Sequence, residues 1–135
     1  DTTLTAVITP GHTPGCVSFI IPVKDKGVQH MAALLGGNGL PAAPLTDTAK
    51  PSFPLRTISA YINSLDYFSA YTQAAGVDVA LNAHPFVDNT AGLMRLLKNR
   101  KPGDTHPWVI GRDGYMRYEG VTREVAKAYL AITNP

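Results

Sequence analysis

The sequence contains little that would place the protein among disulfide-bonded, nucleic-acid-binding or membrane-spanning proteins. Its single cysteine, Cys16, cannot form an internal disulfide and leaves the redox compartment open; flanked by apolar residues, it is interpreted as a buried strand residue and not a nucleophile. The net charge is only +2, without a basic run, so no nucleic-acid partner is indicated. No apolar stretch is long enough to span a bilayer, so no membrane is indicated either. With 44% hydrophobic and 16% charged residues, the composition is typical of a globular protein.

The length predicts a single domain. A chain of 135 residues can bury a core of moderate size, and no internal repeat or second domain boundary is evident within residues 1–135. The sequence shows no signal-peptide pattern, and Asp1 stands directly in strand-like sequence without a preceding methionine. We therefore expect an upstream segment of the natural protein to be missing.

The most distinctive stretch is Thr9-Pro10-Gly11-His12-Thr13-Pro14-Gly15, which lies between two strand patterns. Its two prolines fix φ and remove amide donors, and its two glycines adopt conformations closed to other residues. This combination predicts a stiff, sharply bent loop that holds the imidazole of His12 ready to bind a metal or take a proton. The alternative is an ordinary strand connection with an incidental histidine.

Three strands are predicted in the first third of the chain. Apolar and polar residues alternate over residues 4–8, and strand-like runs follow at 16–21 and 28–35. Residues 24–27 are polar and turn-like, so the second and third strands are predicted to form a hairpin. The unbroken apolar end of the third strand, residues 31–35, indicates burial on both faces.

A glycine-rich turn and a long loop follow the third strand. Residues 36–39 read Gly-Gly-Asn-Gly, which either lets the backbone approach another group closely or forms a tight turn with positive φ. Residues 40–54 are rich in proline, alanine and threonine and have no period. They predict a surface loop that borders a cleft.

The remainder of the chain is mainly helical. Apolar residues recur at helical spacing from Ile58 to Thr72, and Gly76 is the predicted stop. A short strand over residues 77–81 delivers His84. Two helices follow, one over a leucine-rich stretch capped by Asp88 or Asn89 and one amphipathic helix at the C-terminus. The residues that define these two helices are Leu93, Leu96 and Leu97 for the first, and Tyr118, Val121, Val125, Ala128 and Tyr129 for the second.

This order of elements predicts an α/β layer in which helices pack on a mixed sheet. Loops that carry His12, Asn38 and His84 each leave a strand end, and ligands bind at such ends when the strands are neighbours in one sheet. Two histidines on rigid loops at one edge suit a metal, although two ligands do not close a tetrahedral site. His30 and His106 are interpreted as structural or loop residues.

The three loops together resemble the second half of a metallo-β-lactamase-fold hydrolase. The likeness rests on Thr-Pro-Gly-His12-Thr-Pro-Gly after a strand, on Gly-Gly-Asn38 after the following hairpin, and on Asn-Ala-His84-Pro after a later strand. It continues through Lys101-Pro-Gly and His106-Pro-Trp-Val-Ile-Gly into the final helix, so it covers nearly the whole chain. The third subclass of class B β-lactamases (B3) and its close relatives are the most similar.

The resemblance implies a fold and a set of site residues. The chain would be the C-terminal half, a βα layer, of an αββα sandwich with a mixed sheet, helices on one face and the metals between the two sheets. His12 corresponds to the third histidine of the first zinc site, and His84 to the histidine of the second. The family's His-x-His-x-Asp-His motif lies in the N-terminal half and does not occur here. Asn38 stands where many superfamily members have a metal-binding Asp or Cys. An amide is a poor zinc ligand compared with either, and the third-subclass enzymes also lack a metal ligand there, so Asn38 is assigned a substrate-binding or loop-shaping role. No catalytic residue is assigned in this half.

The resemblance also implies a function for the intact protein. Two zinc ions would generate hydroxide at neutral pH for hydrolysis of a β-lactam amide, and this chain alone is expected to be inactive. One alternative is a related metallo-hydrolase that acts on a lactone, thioester or other ester. Another is a non-catalytic fragment that associates, with a second copy or with the missing N-terminal half, through an exposed apolar face of the sheet. A periplasmic or secreted bacterial protein with a small-molecule substrate is implied in the catalytic cases.

Overall fold

The fold combines a four-stranded sheet with three helices, described by a computed structural model over residues 2–40 and 57–133. The predicted loop at 40–54 lies, apart from Leu40, outside the described residues. In chain order the elements are β1 (Thr5–Ile8), β2 (Val17–Asp25), β3 (Val28–Leu34), α1 (Ile58–Ala75), β4 (Val79–Leu81), α2 (Thr90–Lys98) and α3 (Arg112–Thr133).

The sheet is mixed, as predicted. Its strand order is β1-β2-β3-β4, with antiparallel pairing between the first three strands and parallel pairing between β3 and β4. The predicted hairpin between β2 and β3 turns at Lys26 and Gly27, which have φ values of 48° and 89°. Two successive positive φ values are typical of a type I′ turn, whose twist matches that of the flanking strands.

Strand β2 continues to Asp25, further than predicted, although it contains a proline. Pro22 lies opposite Met31 in the register with β3. Pairing with β1 ends at Ile20, so from that point β2 has only β3 as a described neighbour. A missing amide donor at Pro22 is tolerated there because proline is accommodated where a strand has a free side.

Helix α1 begins and ends where its sequence signals predict. Thr57 is the N-cap, and its hydroxyl accepts a hydrogen bond from the Ala60 amide at 3.0 Å. Gly76 has φ 66° and donates its N–H to Gln73 O, while the Val77 N–H donates to Thr72 O. These two bonds form a Schellman motif, which satisfies carbonyls that the helix end leaves unpaired.

The later elements differ from their predicted boundaries. Strand β4 begins at Val79 because Val77 belongs to the cap of α1. Asn89 occupies the N-cap position of α2, one of the two predicted positions, but it lies in the left-handed region and its side chain makes no capping hydrogen bond. Helix α3 begins at Arg112, ahead of its predicted apolar stripe. None of the helices in the described ranges has both the length and the apolar character needed to cross a membrane.

The core lies between one face of the sheet and helices α1 and α3. Val7, Ile20 and Ala33 face this core from the first three strands, and all three are buried. The predicted apolar stripe of α1 supplies most of the remaining volume, and α3 adds two residues. The helical members of the cluster are Ile58, Tyr61, Ile62, Leu65, Phe68, Tyr115 and Ala126.

The other face of the sheet is apolar as well. The strand register places Phe19, Leu34 and Leu81 on this face, together with Ala32 and Val79. Beside β4, the segment around Trp108 covers part of it and leaves a cavity of about 270 Å³ lined by residues of three strands and of this segment. This surface is called the inner face below.

Candidate functional site

Three loops meet at one edge of the sheet. Strands β1, β3 and β4 run in the same direction, since β1 and β3 are both antiparallel to β2 and β4 is parallel to β3. Their C-terminal ends therefore lie along the same edge, where they lead into the loops that carry His12, Asn38 and His84. This is the edge at which open α/β sheets bind ligands.

The loop with His12 is closely attached to helix α1. Its ends are joined by a hydrogen bond from the Thr9 amide to the Cys16 carbonyl at 2.9 Å. The Ser64 hydroxyl donates to the Pro10 carbonyl at 2.6 Å. At Gly11, which has φ 139°, a Cβ atom would come within 2.3 Å of the Tyr61 backbone. The loop thus needs glycine at this point because helix and loop approach each other too closely for a side chain.

The imidazole of His12 has a defined hydrogen-bond partner. Its Nδ1 lies 3.0 Å from the carbonyl oxygen of Gly39. A carbonyl oxygen only accepts, so Nδ1 carries the proton, and in the neutral imidazole Nε2 then has the lone pair. This is the arrangement that metal-binding histidines use, in which a second acceptor sets the tautomer and the other nitrogen is the ligand.

Gly37 provides the space in which His12 lies. Its φ is 74°, and a Cβ atom there would be 2.5 Å from the His12 Cβ and 2.8 Å from the Cys16 sulfur. Cys16, predicted as a buried strand residue, instead precedes β2 and is half-buried, with its sulfur 3.0 Å from the Thr13 hydroxyl. That prediction is wrong because the loop hydrogen bonds extend one residue beyond the predicted bend.

Asn38 is buried in this turn, with 9% of its surface exposed. Its amide nitrogen donates to the Tyr118 hydroxyl at 2.7 Å, and that hydroxyl lies 3.1 Å from the amide oxygen. Burial raises the pKa of Tyr118, while its hydrogen bond with Asn38 acts in the opposite direction. Tyr118 therefore stays protonated at neutral pH and couples helix α3 to the turn.

His84 lies in an exposed loop after β4. Its backbone amide donates to the Asn82 side-chain oxygen at 3.1 Å, and its carbonyl accepts from the Val87 amide. The ring stacks on Phe86, with centroids 5.3 Å apart and planes inclined by 23°. Phe86 itself is 81% exposed, so an aromatic surface stands next to the imidazole at this edge.

The structure brings His12 and the Asn38 turn into contact, whereas His84 contacts neither through a hydrogen bond or ring contact among those found in residues 2–40 and 57–132. Within the same ranges, no three His, Cys, Asp or Glu side chains are grouped closely enough to hold a metal ion. The two imidazoles fit zinc as partial ligand sets, one on each loop. A closed tetrahedral centre needs further ligands.

The other histidines have different surroundings. His30 lies at the start of β3, away from this edge, with its Nδ1 2.6 Å from an Asp78 carboxylate oxygen. The second oxygen of Asp78 accepts from the Met31 amide at 3.0 Å, so this pair joins β3 to the residue before β4. His106 is in the loop before α3, where its ring lies 5.7 Å from that of Trp108.

Tyr118 contacts the turn at this edge of the sheet, and the sequence pattern did not identify it as a site residue. It was assigned to the apolar stripe of the last helix, where periodicity accounts for it fully. Its hydroxyl meets Asn38 across 80 residues of sequence, and no local pattern carries that information.

The strand order, the covering helices and the edge with two histidine loops define a layer of the metallo-β-lactamase fold. The chain is similar to native FEZ-1 metallo-β-lactamase from Legionella gormanii, with 24% identity and a TM-score of 0.75 over 98% of this chain and 47% of that one. It is also similar to BJP-1, a subclass B3 metallo-β-lactamase of Bradyrhizobium japonicum, with 27% identity, a TM-score of 0.64 and coverage of 98% and 46%. A third similar structure is LRA-12, a class B3 di-zinc metallo-β-lactamase from an Alaskan soil metagenome. It has 20% identity and a TM-score of 0.58 over 95% of this chain and 45% of that one.

These comparisons confirm the predicted fold class and the predicted resemblance at the level of fold. The chain spans less than half the length of each of these structures. No protein-family model matches the sequence, and no curated protein sequence matches it.

Proposed function

We propose that this chain is the C-terminal half of a zinc-dependent hydrolase of the metallo-β-lactamase type, which in the intact protein opens the amide bond of a β-lactam. The observation that carries the proposal is the contact of His12 Nδ1 with the Gly39 carbonyl at 3.0 Å, which in the neutral imidazole leaves Nε2 with its lone pair at the edge where three strands end. The fold shared with three metallo-β-lactamases supports it.

In this proposal the two histidines belong to different metal sites. His12 contributes its Nε2 to the first zinc and His84 contributes one imidazole nitrogen to the second, both in the neutral form that metal binding requires. Bound zinc would supply hydroxide near neutral pH and polarise the scissile carbonyl. The remaining ligands come from the N-terminal half, so the chain alone is inactive.

Asn38 is proposed to contact the substrate. It stands at the same edge, in a turn that touches His12. Both of its amide atoms lie within hydrogen-bond distance of one tyrosine hydroxyl. The amide nitrogen keeps a second hydrogen and the amide oxygen a second lone pair, so a substrate contact is compatible with the hydrogen bond to Tyr118.

The inner face is proposed to receive the missing N-terminal half. Its central residues, among them Phe19 and Leu34, are apolar and half-buried, and Ile8 at its margin is 70% exposed. Native FEZ-1 and BJP-1 are each more than twice as long as the part that aligns with this chain, which leaves enough chain for a second layer of similar size. By the same resemblance we propose a bacterial protein exported to the periplasm or secreted.

Zinc content tests the two metal sites in the full-length protein that contains this chain. We expect about two zinc ions per protein by inductively coupled plasma mass spectrometry, and a loss of about one in each of His12→Asn and His84→Asn. His106→Asn, which removes a histidine away from the edge, should keep both ions. The isolated chain should hold far less than one ion, and near-stoichiometric zinc there would contradict the incomplete site.

Hydrolysis distinguishes the proposed substrate class from its alternative. The full-length protein is assayed on a panel of β-lactams and, in parallel, on lactones and thioesters. Turnover of lactams that is lost in His12→Asn supports the proposal. Turnover of lactones or thioesters alone favours the related metallo-hydrolase, whose fold and metal ligands would be the same. Absence of any turnover would contradict both catalytic functions and favour a non-catalytic protein.

A further inference from the structure

Tyr118 reaches from helix α3 to the turn that contacts His12. Its hydroxyl accepts the Asn38 amide proton at 2.7 Å and lies 3.1 Å from the amide oxygen. The aromatic ring is itself held on α3 by its neighbour Tyr115, with ring centroids 5.9 Å apart. The hydroxyl is therefore placed by a 22-residue helix that packs on α1, a rigid support compared with a loop.

The turn needs such a support because its own backbone is loosely specified. Gly37 and Gly39, on either side of Asn38, have φ values of 74° and 149°. Glycine is conformationally permissive, so these two residues give the turn more alternatives than other residues would. The Tyr61 hydroxyl lies buried beside the backbone of Gly39, and it has no hydrogen-bond partner within residues 2–40 and 57–132. The amide of Asn38 is thus one of the points at which a side chain holds the turn, together with the Ser18 hydroxyl at Gly36 and the His12 imidazole at Gly39.

The next residue along the chain delivers the carbonyl that sets the imidazole. Gly39 follows Asn38 directly, and its oxygen accepts the Nδ1–H of His12 at 3.0 Å. A shift of the turn by one ångström would break this hydrogen bond, since donor–acceptor distances beyond about 3.5 Å no longer count as one. Without it, either imidazole nitrogen can carry the proton.

We infer that Tyr118 is a positioning residue that, through Asn38 and Gly39, holds His12 in the tautomer with Nδ1 protonated and Nε2 free for a ligand. The tautomer itself follows from the described contacts, whereas its purpose rests on the proposed zinc function. In the described part of the chain, the hydrogen bonds and ring contact found for the Tyr118 side chain are with Asn38 and Tyr115, so it acts on His12 indirectly.

The tautomer is measured on the full chain, without metal. Long-range ¹H–¹⁵N correlation spectra of ¹⁵N-histidine-labelled protein, with chelator and at about pH 8, where an ordinary imidazole is neutral, report which nitrogen carries the proton. In Tyr118→Phe the ring and its packing stay and only the hydroxyl is lost. We expect the ratio of Nδ1–H to Nε2–H at His12 to fall about fivefold, the equivalent of one net hydrogen bond.

Tyr115→Phe is the matched control, because it removes a buried hydroxyl from the same helix, one turn away from Tyr118. In this variant the ratio of Nδ1–H to Nε2–H at His12 should be unchanged, even if the free energy of unfolding falls. Asn38→Ala removes the same hydrogen bond from the side of the turn and should reproduce the effect of Tyr118→Phe, which keeps the test valid if one of the two variants does not fold.

An unchanged His12 tautomer in the folded variants would overturn the inference. So would an equal change in Tyr115→Phe, because the effect would then be a general loss of packing. Neither result depends on zinc or turnover. Absence of zinc from the full-length protein, with the tautomer shift intact, would instead contradict the proposed function alone.

Discussion

At the scale of single residues, the space around His12 depends on a glycine. Gly37 has φ 74°, a region that disfavours other residues, and a side chain there would meet the His12 Cβ and the Cys16 sulfur. Both the backbone conformation and the packing disfavour a Cβ atom at this position. The loop that carries His12 packs directly against Gly37.

We expect Gly37→Ala to lower the free energy of unfolding by about 2–4 kcal/mol, the sum of left-handed strain and forced displacement of His12. Urea unfolding at neutral pH measures it. Gly111→Ala is the control, since Gly111 has nearly the same φ, 76°, with nothing near the site of the added Cβ. It should cost only about 1 kcal/mol, and equal losses in the two variants would show that the contact with His12 is unimportant.

The candidate site residues were predictable from sequence to different degrees. His12 was identified because prolines and glycines around it signal a rigid bend, and Asn38 and His84 because each follows a predicted strand. The roles of the Gly39 carbonyl and of Tyr118 were not predictable. Gly39 contacts His12 across 27 residues of sequence, and Tyr118 contacts Asn38 across 80. Periodicity reports which face of a helix is buried and carries no information about a particular partner.

At the scale of elements, helices α1 and α3 enclose a carboxylate at their interface. Glu119 accepts hydrogen bonds from the Thr72 hydroxyl at 2.7 Å and from the Ser69 hydroxyl at 3.0 Å. Burial raises the pKa of Glu119, and the hydrogen bonds and the charge of Arg123 only partly offset it. The pairing of the two helices is therefore sensitive to pH.

The sign of this effect follows from the direction of the shift. Because the pKa of Glu119 is higher in the folded state than its unfolded value of about 4.3, the unfolded chain loses this proton first as pH rises. Glu119 therefore contributes fully to the free energy of unfolding below the unfolded pKa of about 4.3. This contribution is lost as pH rises through the pKa of the folded state. We expect Glu119→Gln to remove this part of the decrease in unfolding free energy between about pH 4 and pH 7.

Urea unfolding of both proteins across this range gives the comparison. Glu124→Gln is the control, since the Lys127 ammonium lowers the pKa of that exposed carboxylate, and its contribution to stability is lost as pH falls. Its effect on the pH slope should be small and opposite in sign. Parallel pH curves for the native protein and Glu119→Gln would contradict a buried, proton-binding Glu119.

The elements themselves followed largely from local signals. Helix α1 was predicted from the apolar period that starts at Ile58, and its C-terminal end from Gly76, a stop signal that acts locally; the N-cap Thr57 was not predicted. Strand β2 was predicted too short, because the tolerance of Pro22 depends on where β1 ends. Such a boundary is set by a neighbouring strand and therefore lies outside the reach of a local pattern.

At the scale of the whole molecule, the sheet has one face covered by helices and one apolar inner face. In a four-layer sandwich the inner face would be covered by the second layer, and large uncovered apolar surfaces usually find a partner. The isolated chain should therefore associate with itself through this face when the other layer is not supplied.

We expect sedimentation velocity to show concentration-dependent self-association of the isolated chain, together with binding of a hydrophobic dye. Ile8→Lys places a charge at the margin of the inner face and should weaken both. The control is Val121→Lys, an equally apolar residue that is 64% exposed on α3 and should leave association unchanged. A monomer at every concentration that binds no dye would contradict an accessible docking face.

The sequence by itself determined the α/β order of elements and the bend at His12, because strand alternation, helical period and Pro/Gly chemistry act over a few residues. Only the tertiary structure decided that β1, β3 and β4 end at one edge, that His12 bonds to Gly39 and that Tyr118 supports Asn38. The physical reason is that these facts depend on strand register and helix placement, which are set by the packing of the whole core and not by any local stretch of the chain.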